Sequence, residues 1–261
     1  MTDAHQPVSP GRRPTWREVA AMPGRRLFVA VPLSDAARTR VTELVESLPA
    51  APKGSSGSGT SGADRPSGRD QRRRDVRWVR LDGLHLTLRF LGPTEDARVP
   101  AVAQAVARAA AHAEPFAFTI DGGGAFPDAS RPRTLWLGVT QGSDALADLA
   151  GALDRELAAS GWPLPDRPFR AHLTLARSDG VAAGAEVARR LADAAHGLDL
   201  RSEVDRLVLF ESITGGGPAR YVPLAESRIG ADQGSSGRVP SDLTGSDRTH
   251  TGRSQGDPPT P

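Results

Sequence analysis

Four residues occur twice in this chain. His85-Leu86-Thr87-Leu88 recurs 87 residues later as His172-Leu173-Thr174-Leu175. Six histidines make fifteen pairs, and chance repetition of all three following residues is rare, about one such chain in 200, so an internal repeat is favoured. Each copy reads as a β-strand. Alternation along a strand puts residues i and i+2 on one face, so His85 and Thr87 point one way while Leu86, Leu88 and Phe90 point the other. His172 and Thr174 again share a face, opposed by Leu173 and Leu175. Leucine marks the core side in both copies. The histidine and threonine faces are left for solvent, a partner or a cleft. Two related lobes facing each other would bring the copies together.

The rest of the pattern alternates strand and helix. Strands are predicted over Arg26–Val31, Val76–Val79, His85–Leu91, Phe116–Ile120, Thr134–Val139, Phe169–Ala176, Val204–Phe210 and Tyr221–Leu224. Val76–Val79 and His85–Leu91 read as a hairpin closed at Asp82-Gly83, and Gly122–Gly124 as part of a loop. Val41, Leu44, Val45 and Leu48 form one helical face after Ser34 as N-cap. Further helices are predicted over Asp96–His112, along Leu146, Leu149, Leu153 and Leu157, and over Ala185–His196. The class is α+β, with the elements falling into two similar halves. His112 and His196 sit where helix C-termini are expected, and dipole compensation accounts for both, with Gly197 as the following C′ residue.

Composition sorts the chain into one domain and three segments without a core. Of 261 residues, 28 are Gly and 22 Pro. They concentrate in residues 1–24, 52–74 and 230–261, which are predicted to be disordered because they cannot bury enough apolar surface to offset ordering entropy. Residues 25–229 form the folded domain, with 52–74 a Gly/Ser-rich insertion ending in the basic run Arg72–Arg74. Lys53–Arg74 carries six basic and two acidic residues, a net of +4. The whole chain is +2, so the remainder sums to −2. The pI near 9.8 reflects arginine, which stays charged at high pH, more than a nucleic-acid-binding surface. Without cysteine, disulfides, thiolate chemistry and cysteine metal sites are excluded, which fits a reducing compartment. No apolar run approaches the roughly 20 residues of a membrane span, and residues 1–24 lack a signal peptide's apolar stretch. A cytoplasmic monomer without membrane association is expected.

Two histidines across a cleft suit phosphodiester chemistry. With an unperturbed pKa near 6.5, one imidazole can be neutral and take a proton from water while the other is protonated and gives one to a leaving oxygen. In-line attack at phosphorus needs those groups on opposite sides. A threonine hydroxyl two residues along reaches the same space and can donate to a non-bridging oxygen. No metal or other cofactor is expected: neither motif carries Asp or Glu within three residues downstream, so a two-histidine metal hydrolase lacks ligands. Gly122–Gly124 and Gly215–Gly217 lack the strand-GxxxxGK-helix context of a phosphate loop.

The doubled motif and its surroundings resemble the two-histidine phosphoesterases, and within them the bacterial RNA 2′,3′-cyclic phosphodiesterases, also called 2′-5′ RNA ligases. The supporting stretches are RLFVAVPL at 26–33, RWVRLDGLHLTLRFLG at 77–92, FPDASRPRTLWLGV at 126–139, RPFRAHLTLAR at 167–177 and RLVLFESI at 206–213. The resemblance implies two lobes related by a pseudo-two-fold axis, each a small, mainly antiparallel sheet backed by helices, with the active cleft between them. It implies His85 as proton donor, His172 as proton acceptor, and Thr87 and Thr174 as phosphate-binding residues. Arg177 resembles a position near the phosphate. Arg133 and Arg131 lie between the motifs and are candidates for phosphate or RNA-backbone contact, since a guanidinium fork matches phosphate oxygens. Arg89 is placed by strand parity to line the cleft. Phe126 is a candidate for base stacking, with a core role favoured. The implied reaction opens an RNA 2′,3′-cyclic phosphate end to a 2′-phosphomonoester, and the same groups are implied to join such an end to a 5′-hydroxyl in 2′-5′ ligation. A cyclic phosphodiesterase acting on small nucleotides or ADP-ribose cyclic phosphate, or a non-catalytic RNA-binding module, are the alternatives.

Overall fold

A computed structural model of the protein describes residues 24–48, 76–178, 181–215 and 218–230. Apart from Gly24 and Gly230 at their edges, the segments predicted to be disordered, including Arg72–Arg74, lie outside the described residues. In chain order the elements are β1 (Arg25–Pro32), α1 (Asp35–Ser47), β2 (Val76–Trp78), β3 (His85–Thr94), α2 (Val99–Ala111), β4 (Phe116–Phe126), β5 (Thr134–Gln141), α3 (Ser143–Ala159), β6 (His172–Ser178), α4 (Val181–Ala195), β7 (Leu200–Val204), β8 (Arg206–Ile213) and β9 (Arg220–Arg228).

The strands form two antiparallel sheets, ordered β3-β1-β8-β9 and β2-β6-β5-β4-β7. The four strands 3-1-8-9 of the first match 6-5-4-7 of the second, one motif strand in each, and β2 adds a fifth strand beside β6. The fold is therefore α+β with two similar lobes. The lobes are not the two halves of the chain, however. The first sheet draws β8 and β9 from the C-terminal end to join β1 and β3, and the second takes the middle of the chain plus β2. Val76–Val79 and His85–Leu91 accordingly do not form a hairpin: β2 pairs with β6 and β3 with β1. Asp82-Gly83 lies in a 3₁₀ turn, Leu81–Gly83, that carries the chain from one lobe to the other.

Each sheet buries its leucine face under helices. In the first, Leu27, Val29, Val31, Leu86, Leu88, Leu207 and Leu209 are buried. α2 packs on this sheet with Val102, Ala105, Val106 and Ala109 buried, and α3 with Leu146, Leu149, Leu153 and Leu157 buried. The second sheet buries Phe118, Ile120, Leu135, Leu137, Leu173 and Leu175. α4 covers it through Val187, Ala188 and Leu191, and α1 packs against β7. These residues belong to one continuous apolar cluster. Burying such side chains gives about 1.5–3 kcal/mol each before entropy.

Ser34 caps α1 as predicted, its hydroxyl accepting from the Ala37 amide. His112 closes α2 with Nδ1 on the Arg108 carbonyl at 2.7 Å, and Gly197 adopts φ +73° beyond α4, the left-handed conformation of a C′ glycine. Gly122–Gly124 are not a loop but the interior of β4, where a bulge falls between Ile120 and Gly123. Glycine is required there for space. A Cβ at Gly124 would stand 2.5 Å from the Trp136 ring, and one at Gly123 would stand 3.0 Å from the Leu191 carbonyl of α4. β7 carries too short a signal to be read from sequence. No described helix is long and apolar enough to cross a membrane.

Candidate active site

The unburied faces of β3 and β6 meet between the lobes. His85 and His172 each open a motif strand and are held in the same way. His85 Nδ1 lies 2.7 Å from the Gly83 carbonyl, and His172 Nδ1 lies 2.7 Å from the Arg170 carbonyl. A carbonyl oxygen only accepts, so Nδ1 carries the proton in both rings. Each neutral imidazole therefore keeps a lone pair on Nε2, and each imidazolium has an Nε2–H to give. One two-residue backbone device thus sets the same tautomer in both lobes.

The surroundings of the two rings differ. His85 stacks on Phe28 with centroids 4.8 Å apart, lies 5.8 Å from Phe210, and meets Tyr221 edge-on at 4.9 Å. His172 meets Phe126 edge-on at 5.1 Å, and Arg170 lies over the other ring partner, Phe126, at 5.0 Å. Burial pushes both imidazoles below the ordinary histidine value, because an apolar environment disfavours the charged form. Their carbonyl hydrogen bonds oppose that shift. At His172 the positive charges of Arg170 and Arg177 add to it.

A cleft of about 340 Å³ lies against this face and is lined by His85, Thr87, Phe90, Thr174, Arg177 and Tyr221, with Arg26, Phe28, Ser212 and Thr214 further along. Both threonines and Arg177 are therefore brought together with His85. His172 is not in that lining; it stands two residues before Thr174 on the same face of β6, about 6.6 Å along the strand. Arg133 is exposed at the entry to β5, with its amide bonded to the Phe126 carbonyl, and Arg131 is exposed in the preceding turn. Neither lines the cleft. Phe126 packs against His172 and Trp136.

Two expectations about β3 fail for one reason. Against β1, Thr87 pairs with Ala30 but Arg89 with Val29, so Leu88 is an extra residue. This bulge reverses the alternation. Arg89 turns away from the cleft, donating to the Pro163 carbonyl and pairing with Asp154 of α3 at 3.5 Å. Phe90, expected in the core, is turned into the cleft and is 62% exposed. β6 repeats the feature: Thr174 pairs with Trp136 and Ala176 with Leu135, leaving Leu175 extra. The bulge brings Arg177, an odd number of residues from His172, onto the histidine's face. Tyr221 was not singled out from sequence; as the only tyrosine, on a short terminal strand, it carried no periodic signal tying it to the motifs.

Among the described residues no group of three or more His, Asp or Glu side chains is arranged to hold a metal ion.

Residues 63–216 match the model of the 2'-5' RNA ligase superfamily. The RNA 2',3'-cyclic phosphodiesterase of Aeropyrum pernix is 31% identical over 168 residues, 63% of this chain and 90% of that protein. That of Archaeoglobus fulgidus is 31% identical over 152 residues, 58% of this chain and 72% of that protein. That of Escherichia coli is 31% identical over 146 residues, 56% of this chain and 76% of that protein. Among solved structures, E. coli LigT complexed with 3'-AMP is 26% identical with a TM-score of 0.56, covering 78% of this chain and 98% of that one. The apo form of E. coli LigT gives 26% and 0.57, covering 80% and 99%.

Proposed function

The chain belongs to the 2'-5' RNA ligase superfamily, and on that premise we propose that it opens RNA 2′,3′-cyclic phosphate ends by acid–base catalysis between His85 and His172. The observation that carries the proposal is the shared tautomer of the two rings, each locked through Nδ1 at the same step of a motif strand. The proposal is supported further by Thr87, Thr174 and Arg177 on one cleft, and by relatives named RNA 2',3'-cyclic phosphodiesterase.

In this reading, His172 Nε2 takes a proton from water as the water oxygen bonds to phosphorus. The bond from phosphorus to the 3′ oxygen breaks, and His85 Nε2–H supplies that oxygen's proton. The product is a 2′-phosphomonoester and a free 3′-hydroxyl. Thr87 and Thr174 donate to the non-bridging oxygens, where charge builds, and Arg177 offers a guanidinium to the same group. Burial lowers the affinity of His85 for its proton in the free enzyme; the negative phosphate restores it on binding. With a 5′-hydroxyl in the place of water, the same groups join the cyclic end to it: His172 takes the hydroxyl's proton, the bond to the 3′ oxygen breaks, and His85 protonates that oxygen. No step needs a metal.

The test is product analysis of a cyclic-ended oligonucleotide incubated with the protein and a chelator. A 2′-phosphate end is expected. A 3′-phosphate end, or loss of turnover on adding chelator, would overturn the proposal.

A further inference from the structure

The cleft continues past the groups that the reaction uses. Strand β1 is regular throughout its pairing with β3, since both extra residues of that pair, Leu88 and Leu91, lie on β3. Arg26, Phe28, Ala30 and Pro32 therefore share one face of the strand, and Arg26 and Phe28 line the cleft. Phe28 carries the His85 ring, and Arg26 is two residues further along, about 7 Å. On the neighbouring strand β8, Phe210 pairs with Phe28 and Leu27 with Glu211, which sets Ser212 beside Arg26. Thr214 lies two residues beyond, and all three line the cleft.

Arg26 has no ion-pair partner among the described residues. The neighbouring carboxylate, Glu211, is taken by Arg25 at 3.0 Å. A guanidinium without a counter-ion, flanked by two hydroxyls in a cleft, is a donor set for a phosphate group. Between it and His85 the ring of Phe90 is exposed beside the buried Phe28, an apolar face against which a nucleoside can lie.

We propose that Arg26, Ser212 and Thr214 form a second phosphate subsite that takes the phosphate on the 5′ side of the terminal nucleoside. The inference rests on the cyclic phosphodiesterase reading above and names its substrate class. The favoured substrate is a chain end or a 5′-phosphorylated nucleoside rather than a bare nucleoside cyclic phosphate.

The experiment compares three substrates: a nucleoside 2′,3′-cyclic phosphate, the same with a 5′-phosphate, and a cyclic-ended dinucleotide. For the unaltered protein, kcat/KM is expected to rise about tenfold on adding the 5′-phosphate or the phosphodiester. In Arg26→Gln that ratio falls to near one. The salt dependence of dinucleotide turnover, as log kcat/KM against log salt, flattens by about 0.7. Equal turnover of all three substrates, or an Arg26→Gln ratio like that of the unaltered protein, overturns the subsite while leaving the cyclic phosphodiesterase reading in place. A gain with the dinucleotide but not with the 5′-phosphate also overturns it, since the added base would then be the cause. Failure to hydrolyse any of the three overturns the reaction and the subsite together.

Discussion

Phe90 and Arg177 occupy the same position in the two motif strands, five residues after His85 and His172, and both line the cleft because a bulged leucine precedes them. The lobes are alike in backbone and tautomer there, and unlike in what they present to a ligand. One offers an exposed ring; the other offers a cation.

That inequality makes the two histidines distinguishable by titration. Both imidazoles lie below the ordinary value of 6.5. The base must be neutral and the acid protonated, so both limbs of the bell in kcat/KM are expected on the acidic side of 6.5. The profile of kcat is expected to sit higher, because bound phosphate favours the imidazolium. The charge of Arg177 lowers His172. Arg177→Gln is therefore expected to raise the His172 limb. If His172 is the base, activity is lost at a higher pH on the acidic side, and the alkaline limb stays. Movement of the alkaline limb instead would exchange the two roles.

The threonines are tested by removing only their hydroxyls. Thr87→Val and Thr174→Val keep shape and strand preference, so folding is expected to be unchanged by circular dichroism. Loss of one donor to a charge that grows in the transition state costs about 100-fold in kcat. The serine variants are expected to recover most of it. Full activity in either valine variant would remove that threonine from the site.

Much of this arrangement could be read from the chain. The doubled His-x-Thr unit, with leucines opposite, marks two strands, their core faces and the face that borders the cleft. What escaped the reading was non-local or broke the strand period. Bulges at Leu88 and Leu175 depend on how β1 and β5 pair, which strict alternation does not contain, so Phe90 and Arg89 were assigned to opposite faces from those they occupy. The exchange of strands between lobes depends on β8 and β9 returning from the end of the chain, and the local turn signal at Asp82-Gly83 suggested a hairpin instead. The glycines of β4 looked like loop residues because the crowding that requires them comes from Trp136 and α4.

Arg89 and Asp154 supply a prediction about stability. Their side chains are 11% and 18% exposed, and burial raises the Asp154 carboxyl while Arg89 opposes the shift. Arg89→Ala leaves that carboxylate without its cation and is expected to cost about 3 kcal/mol at neutral pH, read from urea unfolding. Protonation of Asp154 removes the penalty, so the loss should shrink on acidification. Replacing both residues by leucine is expected to cost less than Arg89→Ala alone. A neutral single variant would show that the pair does not hold β3 against α3.

The central claim is that two imidazoles act in one transition state at one phosphorus atom. It is tested most directly by single-turnover hydrolysis of a cyclic-ended oligonucleotide by His85→Ala, His172→Ala and the double variant, each shown to be folded. Groups that act as a unit lose their effect together, so each single variant is expected to be nearly inactive and the double variant no worse than either. A single variant near full rate, or losses that multiply in the double variant, would contradict the account.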